Sequence, residues 1–214
     1  SFLKTLKREI QEKQLAELQL DHLKSQINPH FLFNTLNNIH ALSYTNSKSA
    51  PDAIMKLSTL MRYMFYESNS PTVSLQQEVD YLLDYISLQQ LRFKNSPVAD
   101  VQISGAMESC KIAPLLFIHL VENAYKHSHS RLQAGDIRVA LSVTNETLCF
   151  SIENPVGIAS TKKAEEPGGF GLKNVRKRLE LIYPQRHQLD VGEVSGIFKV
   201  TLEINRPDIP VNER

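Results

Sequence analysis

Gln26-Ile27-Asn28-Pro29-His30-Phe31-Leu32-Phe33-Asn34 sets a proline and a histidine inside a run of helical character. Upstream, Leu3, Leu6, Ile10, Leu15, Leu18 and Leu23 recur at spacings of three and four, broken by steps of five between Ile10 and Leu15 and between Leu18 and Leu23. Such a pattern reads as a stuttered, coiled-coil-like helix from Phe2 to about Leu42. Pro29 removes one helical hydrogen bond and kinks the axis, which would expose the imidazole of His30. Phe31, Leu32, Leu36 and Ile39 supply the packing side of this helix. Asn34 stands four residues on and shares the face of His30, where it can orient the ring or touch a group attached to it.

Working outward, a second helix is expected from about Ala50 to Glu67, with Asn69, Ser70, Pro71 and Ser74 marking a break. Ser74-Leu75-Gln76-Gln77 fits a capping box. The helix behind it carries Leu75, Val79, Leu82, Leu83, Ile86 and Leu91 and ends near Phe93. Residues 1–95 therefore read as one helical unit. The character changes at Lys94-Asn95-Ser96-Pro97. Val101-Gln102-Ile103 alternates; a helix is expected from Pro114, as a first helical position, to about Ser128. A hairpin comes next, Ile137–Val143 and Leu148–Ile152 around Asn145-Glu146. Gly157 to Gly168 reads as a mobile loop, Leu172 to Tyr183 as a helix, and Gln188–Val191 and Ile197–Ile204 as strands; residues 206–214 read as a flexible tail. Helices against one face of a mostly antiparallel or mixed sheet make residues 96–205 an α+β unit.

Bulk properties narrow the field. The 214 residues suit one large domain or two small ones, and 42% apolar against 22% charged content is ordinary for a globular core. A net charge of +1 gives no electrostatic reason to expect a nucleic-acid or membrane surface. Cys110 and Cys149 have neither metal-ligand nor CxxC spacing and read as a cytosolic pair of buried thiols. No apolar run is long enough to span a bilayer. The chain opens inside a charged helical pattern, so it reads as a fragment from which an upstream membrane region could have been cut away.

Three further segments carry candidate chemistry. On the helix after Pro114, Phe117, Leu120, Val121 and Ala124 fall on one side, and His119, Glu122, Asn123 and Lys126 on the other, with His127 adjacent. A face of carboxylate, amide and ammonium suits a Mg²⁺–triphosphate: Asn123 offers a hard oxygen to the metal, Lys126 offsets phosphate charge, and Glu122 can polarise water or orient a donor. Gly169-Phe170-Gly171 opens a helix after a loop, where backbone amides bind phosphate and glycines permit close approach. Glu153-Asn154-Pro155-Val156-Gly157 closes a strand, and an acidic residue there can accept from an adenine amino group. Each segment alone has an ordinary reading, as a solvated helix face, a turn, or an Asn-Pro turn starter. No GxxxxGK[ST], HExxH or GxSxG string occurs, so a P-loop is excluded. A neutral imidazole is a nucleophile near pH 7. A histidine that takes a phosphoryl group, beside a pocket for the ATP that supplies it, unites the segments.

The ordered set resembles the sensor histidine kinases of the LytS/YehU type, over Leu23 to Ile204. Pro29 to Asn34 matches their phosphoacceptor string. Pro114, Leu120, Val121, Glu122, Asn123, Ala124, Lys126 and His127 match the asparagine box of the Bergerat (GHKL) ATP-binding fold. Gly169, Gly171, Leu172, Asn174, Val175, Arg178 and Leu179 match its second glycine box. Leu57, Ser58, Leu60, Met61, Arg62 and Tyr63, then Glu78, Tyr81, Asp84 and Tyr85, also match the family pattern.

The resemblance implies an ATP- and Mg²⁺-dependent kinase of α+β class. Its helical dimerisation and phosphoacceptor region would precede a Bergerat-type sandwich. By that resemblance His30 is phosphorylated, with Asn34 and Glu122 as its catalytic helpers, and Asn123 holds Mg²⁺. Lys126, His127, Glu153, Asn154, Gly157 and Leu172 would contact or flank the nucleotide, and Gly169 and Gly171 would shape the hinge of a lid from about Ile158 to Gly168. The implied partners are a second copy, joined through the N-terminal helices, and a response regulator whose aspartate takes the phosphoryl group, some of which carry a LytTR domain. The implied location is the cytoplasmic side of an inner-membrane protein. One departure stands out: where the family's first glycine box reads Asp-x-Gly-x-Gly, this chain has Glu153 and Pro155. Adenine contact would shift to Glu153 in another rotamer, to Asn154 or to water. Two other readings compete: a degenerate kinase-like interaction module with weak or no ATP binding, and an ATPase doing conformational work with Glu122 activating water.

Overall fold

The computed structural model describes residues 29–45, 47–93, 97–107, 110–128, 131–144, 146–156 and 169–205. The chain separates into two compact units, 1–66 and 67–214, which we treat one at a time. In the first unit, helix α1 (Pro29–Tyr44) is succeeded by α2 (Ser49–Phe65), and the two pack together. Ala50, Ala53, Leu57, Leu60 and Tyr63 of α2 are buried. Their spacing of three and four places them in one stripe, as an amphipathic helix requires. Thr35 and Ile39 are the buried residues of α1. At the connection, Ser47 Oγ accepts from Ser49 N–H at 3.3 Å. The expected lead-in helix before Pro29 lies outside the described residues.

The second unit begins with a 3-10 turn, Glu67–Asn69, then strand β1 (Val73–Ser74) and helix α3 (Leu75–Gln90). The expected capping box is present: Ser74 Oγ accepts from Gln77 N–H at 3.2 Å, and Gln77 Oε1 accepts from Ser74 N–H at 3.1 Å. Sequence reading drew a boundary near residue 95, yet the compact units part between Tyr66 and Glu67. The reason is that the start of α3 is tied to a strand further along the chain. β1 pairs antiparallel with β3 (Lys111–Ile112), and Leu75 N–H donates to Cys110 O at 2.7 Å. Neither two-residue strand has enough length to show in a periodicity.

The main sheet is five-stranded, in the order β2 (Ala99–Ser104), β4 (Ile137–Val143), β5 (Thr147–Pro155), β7 (Ile197–Asn205), β6 (His187–Val194). Only the β2–β4 pair is parallel. It is bridged by a crossover that contains helix α4 (Ile118–His127), as parallel neighbours require. Helix α5 (Gly169–Ile182) precedes β6. The β6–β7 connection is the two-residue turn Ser195-Gly196, with φ of 52° and 76°. Positive φ at both central positions is the hairpin turn that matches strand twist, and it needs glycine or a tolerant residue.

One face of the sheet is apolar. Ile137, Val139, Leu141, Leu148, Phe150, Ile152, Val200, Leu202 and Ile204 are all buried, and the Phe150 ring stacks on Phe117 at 4.7 Å. Helices α4 and α5 pack on this side, with Leu120, Val121, Leu172, Val175 and Leu179 buried. Arg138, Ala140, Ser151, Lys199 and Thr201 alternate onto the other face. The unit is α+β, with its helices gathered on one side of a mixed sheet.

Candidate functional site

On α1, His30 is exposed and Asn34 half-buried. Asn34 Nδ2 lies 3.2 Å from Nδ1 and 3.1 Å from Nε2 of the ring. The amide is therefore within reach of both ring nitrogens. An Asn amide can present either its N–H or its oxygen, so it can donate to the lone pair of one tautomer or accept the N–H of the other. The expected pairing of His30 with Asn34 is thus present as contact, with one ring edge open to solvent.

Within the second unit the polar residues of α4 are placed by its apolar side. Phe117, Leu120, Val121 and Ala124 are buried, and this orients His119, Glu122, Asn123 and Lys126 away from the core. His119 Nδ1 lies 3.4 Å from Glu122 Oε2. Burial, and then the nearby Glu122 carboxylate, raise the hydroxyls of Tyr81 and Tyr85 above the ordinary tyrosine value. Lys126 is exposed beside His127, whose imidazole is pushed below its usual value, first by burial and then by the Lys126 charge.

Asn123 is the singular member of this set. Its Nδ2 is buried and has no hydrogen-bond partner, a condition that costs about 1–3 kcal/mol unless something fills it. Directly against it lies Gly171 of α5: a Cβ there would stand 2.9 Å from both Nδ2 and Oδ1 of Asn123. The two glycine and asparagine segments, 48 positions apart in the chain by their numbers 123 and 171, are therefore in van der Waals contact, and only a residue without a side chain permits it. An unsatisfied amide and a bare backbone suit an incoming polar ligand. Asn123 Oδ1 with phosphate oxygens and waters also suits Mg²⁺. Among the described residues no cluster of three His, Cys, Asp or Glu side chains offers a metal site of its own.

Strand β5 reverses one expectation. Its alternation carries Leu148, Phe150, Ile152 and Asn154 to the buried face, leaving Asn154 only 1% exposed. Glu153 points to the other face, where Lys199 Nζ lies 2.7 Å and Arg138 Nη1 3.8 Å from its carboxylate. It also lines a cavity of about 450 Å³ there, with Asp190, Val194, Lys199 and Thr201. Glu153 is thus on the side of the sheet away from α4 and Asn123, and it is Asn154 that occupies the inward position. Asn154 Nδ2 donates to Pro155 O at 3.2 Å. The bridge Ser128–Val156 holds this strand end beside the C-terminus of α4. Leu172 is buried in the core rather than lining an open face. Gly169 begins α5; Gly157 and the expected lid lie outside the described residues.

The helix of this site also starts later than expected. Pro114 was the predicted first residue, but α4 begins at Ile118. Between them Leu115 takes φ 55°, a left-handed conformation that cannot continue a helix. Sequence reading did not single out Glu78 as more than a motif letter; its carboxylate, 1% exposed, accepts from Leu115 N–H at 2.6 Å and Leu116 N–H at 3.2 Å. A glutamate on an otherwise apolar helix side was the available signal.

Known proteins are similar to this chain. The family model described as histidine kinase matches residues 18–97. The sensor protein LytS of Enterococcus faecalis is 30% identical over 220 residues, covering 95% of this chain and 37% of its own. The sensor histidine kinase/phosphatase LytS of Staphylococcus aureus is 30% identical over 200 residues, 88% of this chain and 34% of its own. The chain spans about a third of the length of these curated relatives. Among solved structures, the histidine kinase AdeS of Acinetobacter baumannii is similar at 17% identity and a TM-score of 0.45, covering 89% of this chain and 97% of that one. The family model spans the His30 segment and the LytS relatives run over 95% and 88% of the chain, and the chain belongs to the sensor histidine kinases of two-component systems.

Proposed function

We propose that this chain is the kinase core of a two-component sensor, autophosphorylated on His30 from Mg-ATP. The observation that carries the reading is Asn123, whose Nδ2 is buried and unpartnered and whose amide is held against Gly171, in the same chain as an exposed histidine contacted by Asn34. Asn123 would contribute an oxygen to Mg²⁺, and Lys126 and His127 would flank the phosphates. The backbone at Gly169 and Gly171 would approach them closely. Bound Mg²⁺ would offset charge on the phosphates. Asn154, on the inward face at the strand end, takes the base-contacting role that the resemblance had also offered to Glu153.

Phosphoryl transfer depends mainly on positioning and charge stabilisation. A ring nitrogen of His30 forms the N–P bond as the bond from the terminal phosphorus to the bridging oxygen breaks and ADP leaves. The other ring nitrogen loses its proton to solvent water, to which the exposed ring is open, and Asn34 keeps the ring in one orientation during the exchange. Glu122, beside Asn123, orients groups around the nucleotide. The phosphoryl group then passes to an aspartate of a response regulator, LytTR-type regulators being the class the resemblance suggests. The exposed Phe33, Leu36, Ile54 and Met55 support a helical homodimer. We read the chain as the cytoplasmic part of a membrane-bound parent; among the described residues no helix is long and apolar enough to cross a membrane.

The test is incubation with labelled ATP and Mg²⁺, wild type against His30→Gln. Acid-labile label on the wild type alone is the expected result. Label on His30→Gln, or label that resists acid, would sink the proposal.

A further inference from the structure

The segment Cys110–Leu116 makes few hydrogen bonds with itself, yet it is bound almost residue by residue. Cys110 O accepts from Leu75 N–H, and Lys111 and Ile112 pair with β1. Tyr183 Oη accepts from Ala113 N–H at 2.9 Å; burial raises that hydroxyl to about 12. Arg178 donates through Nη2 to Pro114 O at 2.5 Å and through Nη1 to Leu115 O at 3.1 Å. From the opposite side the Glu78 carboxylate takes the N–H groups of Leu115 and Leu116. The peptide groups at Leu115, in a backbone conformation leucine avoids, are thus gripped by an anion from α3 and a cation from α5.

The grip sits at the foot of α4, and α4 carries Asn123. Helix α5 supplies Arg178 to the turn and Gly171 to Asn123. The contacts therefore form a closed circuit: turn, α4, Asn123, Gly171, α5, Arg178, and back to the turn. Inside such a circuit α4 is held at its N-terminal turn and again at Asn123, midway along it. An α-helix moves as a rigid rod over this length, so a slack turn would displace Asn123 against Gly171, where there is no spare room.

We propose that Glu78 and Arg178 are positioning residues for nucleotide binding: by clamping the left-handed turn at Leu115 they set the seat of Asn123. The inference rests on the nucleotide reading given above. Neither residue touches the ligand; both act through α4. It also makes α3 a direct holder of the nucleotide helix, so that a displacement of α3 reaches Asn123 without any change in the pocket itself.

The test uses Glu78→Gln and Arg178→Lys in the whole chain, each a change of similar size. Ile204→Val, a core substitution in β7, serves as a control for lowered stability alone. Calorimetric titration with a non-hydrolysable ATP analogue and Mg²⁺ should show both variants weakened roughly tenfold or more, the range for partners that orient ligand-binding groups. Ile204→Val should keep wild-type affinity. Amide exchange in the nucleotide-free protein should quicken in both variants from Leu115 through Asn123. Wild-type affinity in both variants, an equal loss in Ile204→Val, or quickened exchange that stops at Leu116 overturns the clamp. Should Glu78→Gln fail to fold, Arg178→Lys decides alone. If the wild-type chain binds no nucleotide, the proposed function falls instead, and the exchange measurement still decides the clamp.

Discussion

The helical hairpin and the sheet unit carry polar groups in opposite ways. In the hairpin, His30 and Asn34 meet near the surface by the geometry of a single helix, four residues apart. In the sheet unit, Glu78, Asn154 and the Nδ2 of Asn123 are enclosed, and each finds its neighbours on another element or at a strand end. The difference teaches where sensitivity should lie. A surface pair can be changed with little cost to folding, whereas an enclosed amide or carboxylate couples chemistry to stability, because its environment was built around it.

The sharpest break of the comparison is His30→Gln. It should abolish phosphoryl labelling while shifting unfolding free energy by no more than about 0.5 kcal/mol, the usual range for surface changes; a large loss of stability in a denaturant titration would show that the hairpin is less surface-like than described. Gly171→Ala should behave in the contrary manner. Its methyl would collide with the Asn123 amide, so stability should fall by roughly 1–3 kcal/mol, as for other overpacked sites. Nucleotide affinity should fall with it. An alanine variant that binds ATP as well as wild type would show that the two segments yield more easily than their contact suggests.

The two faces of β5 offer a finer contrast. Asn154→Ala should weaken nucleotide binding and cost about 1–3 kcal/mol. Glu153→Ala, on the far face with a part-exposed ion pair to Lys199, should cost about 0–1 kcal/mol and leave affinity alone. Reversal of that order by calorimetry would return the base contact to Glu153. Ser74→Ala should remove about 1 kcal/mol by opening the capping box of α3. The smallest effect is electrostatic. His127 has its folded pKa below 6.5, so below pH 6.5 the unfolded chain binds more protons than the folded one. Stability from this group is therefore full above pH 6.5 and declines as pH falls towards the folded value. His127→Gln should flatten that part of the profile, and NMR of the imidazole should place its midpoint below 6.5.

Much of this was legible in the chain. The hairpin of Ile137–Val143 with Leu148–Ile152, the capping box and the apolar side of α4 arise from local periodicity and turn chemistry, which depend on near neighbours only. The inward turn of Asn154 was also present, as the next step after Leu148, Phe150 and Ile152; aligning Glu153 with a family's acidic position overrode the period of two. The contact of Glu78 with Leu115 could not be read, since a buried carboxylate binding backbone amides 37 positions away leaves no local pattern. The late start of α4 is its consequence: a proline announces a helix, but the left-handed residue after it postpones the helix to Ile118.

The mixed sheet has a consequence for the order of assembly. The β4–β5 and β6–β7 pairs join sequence neighbours through tight connections and can close within microseconds. The parallel β2–β4 pair must wait for an intervening stretch that includes α4 and the Leu115 turn. Its loop-closure entropy is met before any reward is collected. Pulse-labelled exchange during refolding should therefore protect the amides of β5 and β7 before those of β2. The hairpins would then form first, and helix α4, inside the parallel crossover, would be among the last parts of the chain to find its place.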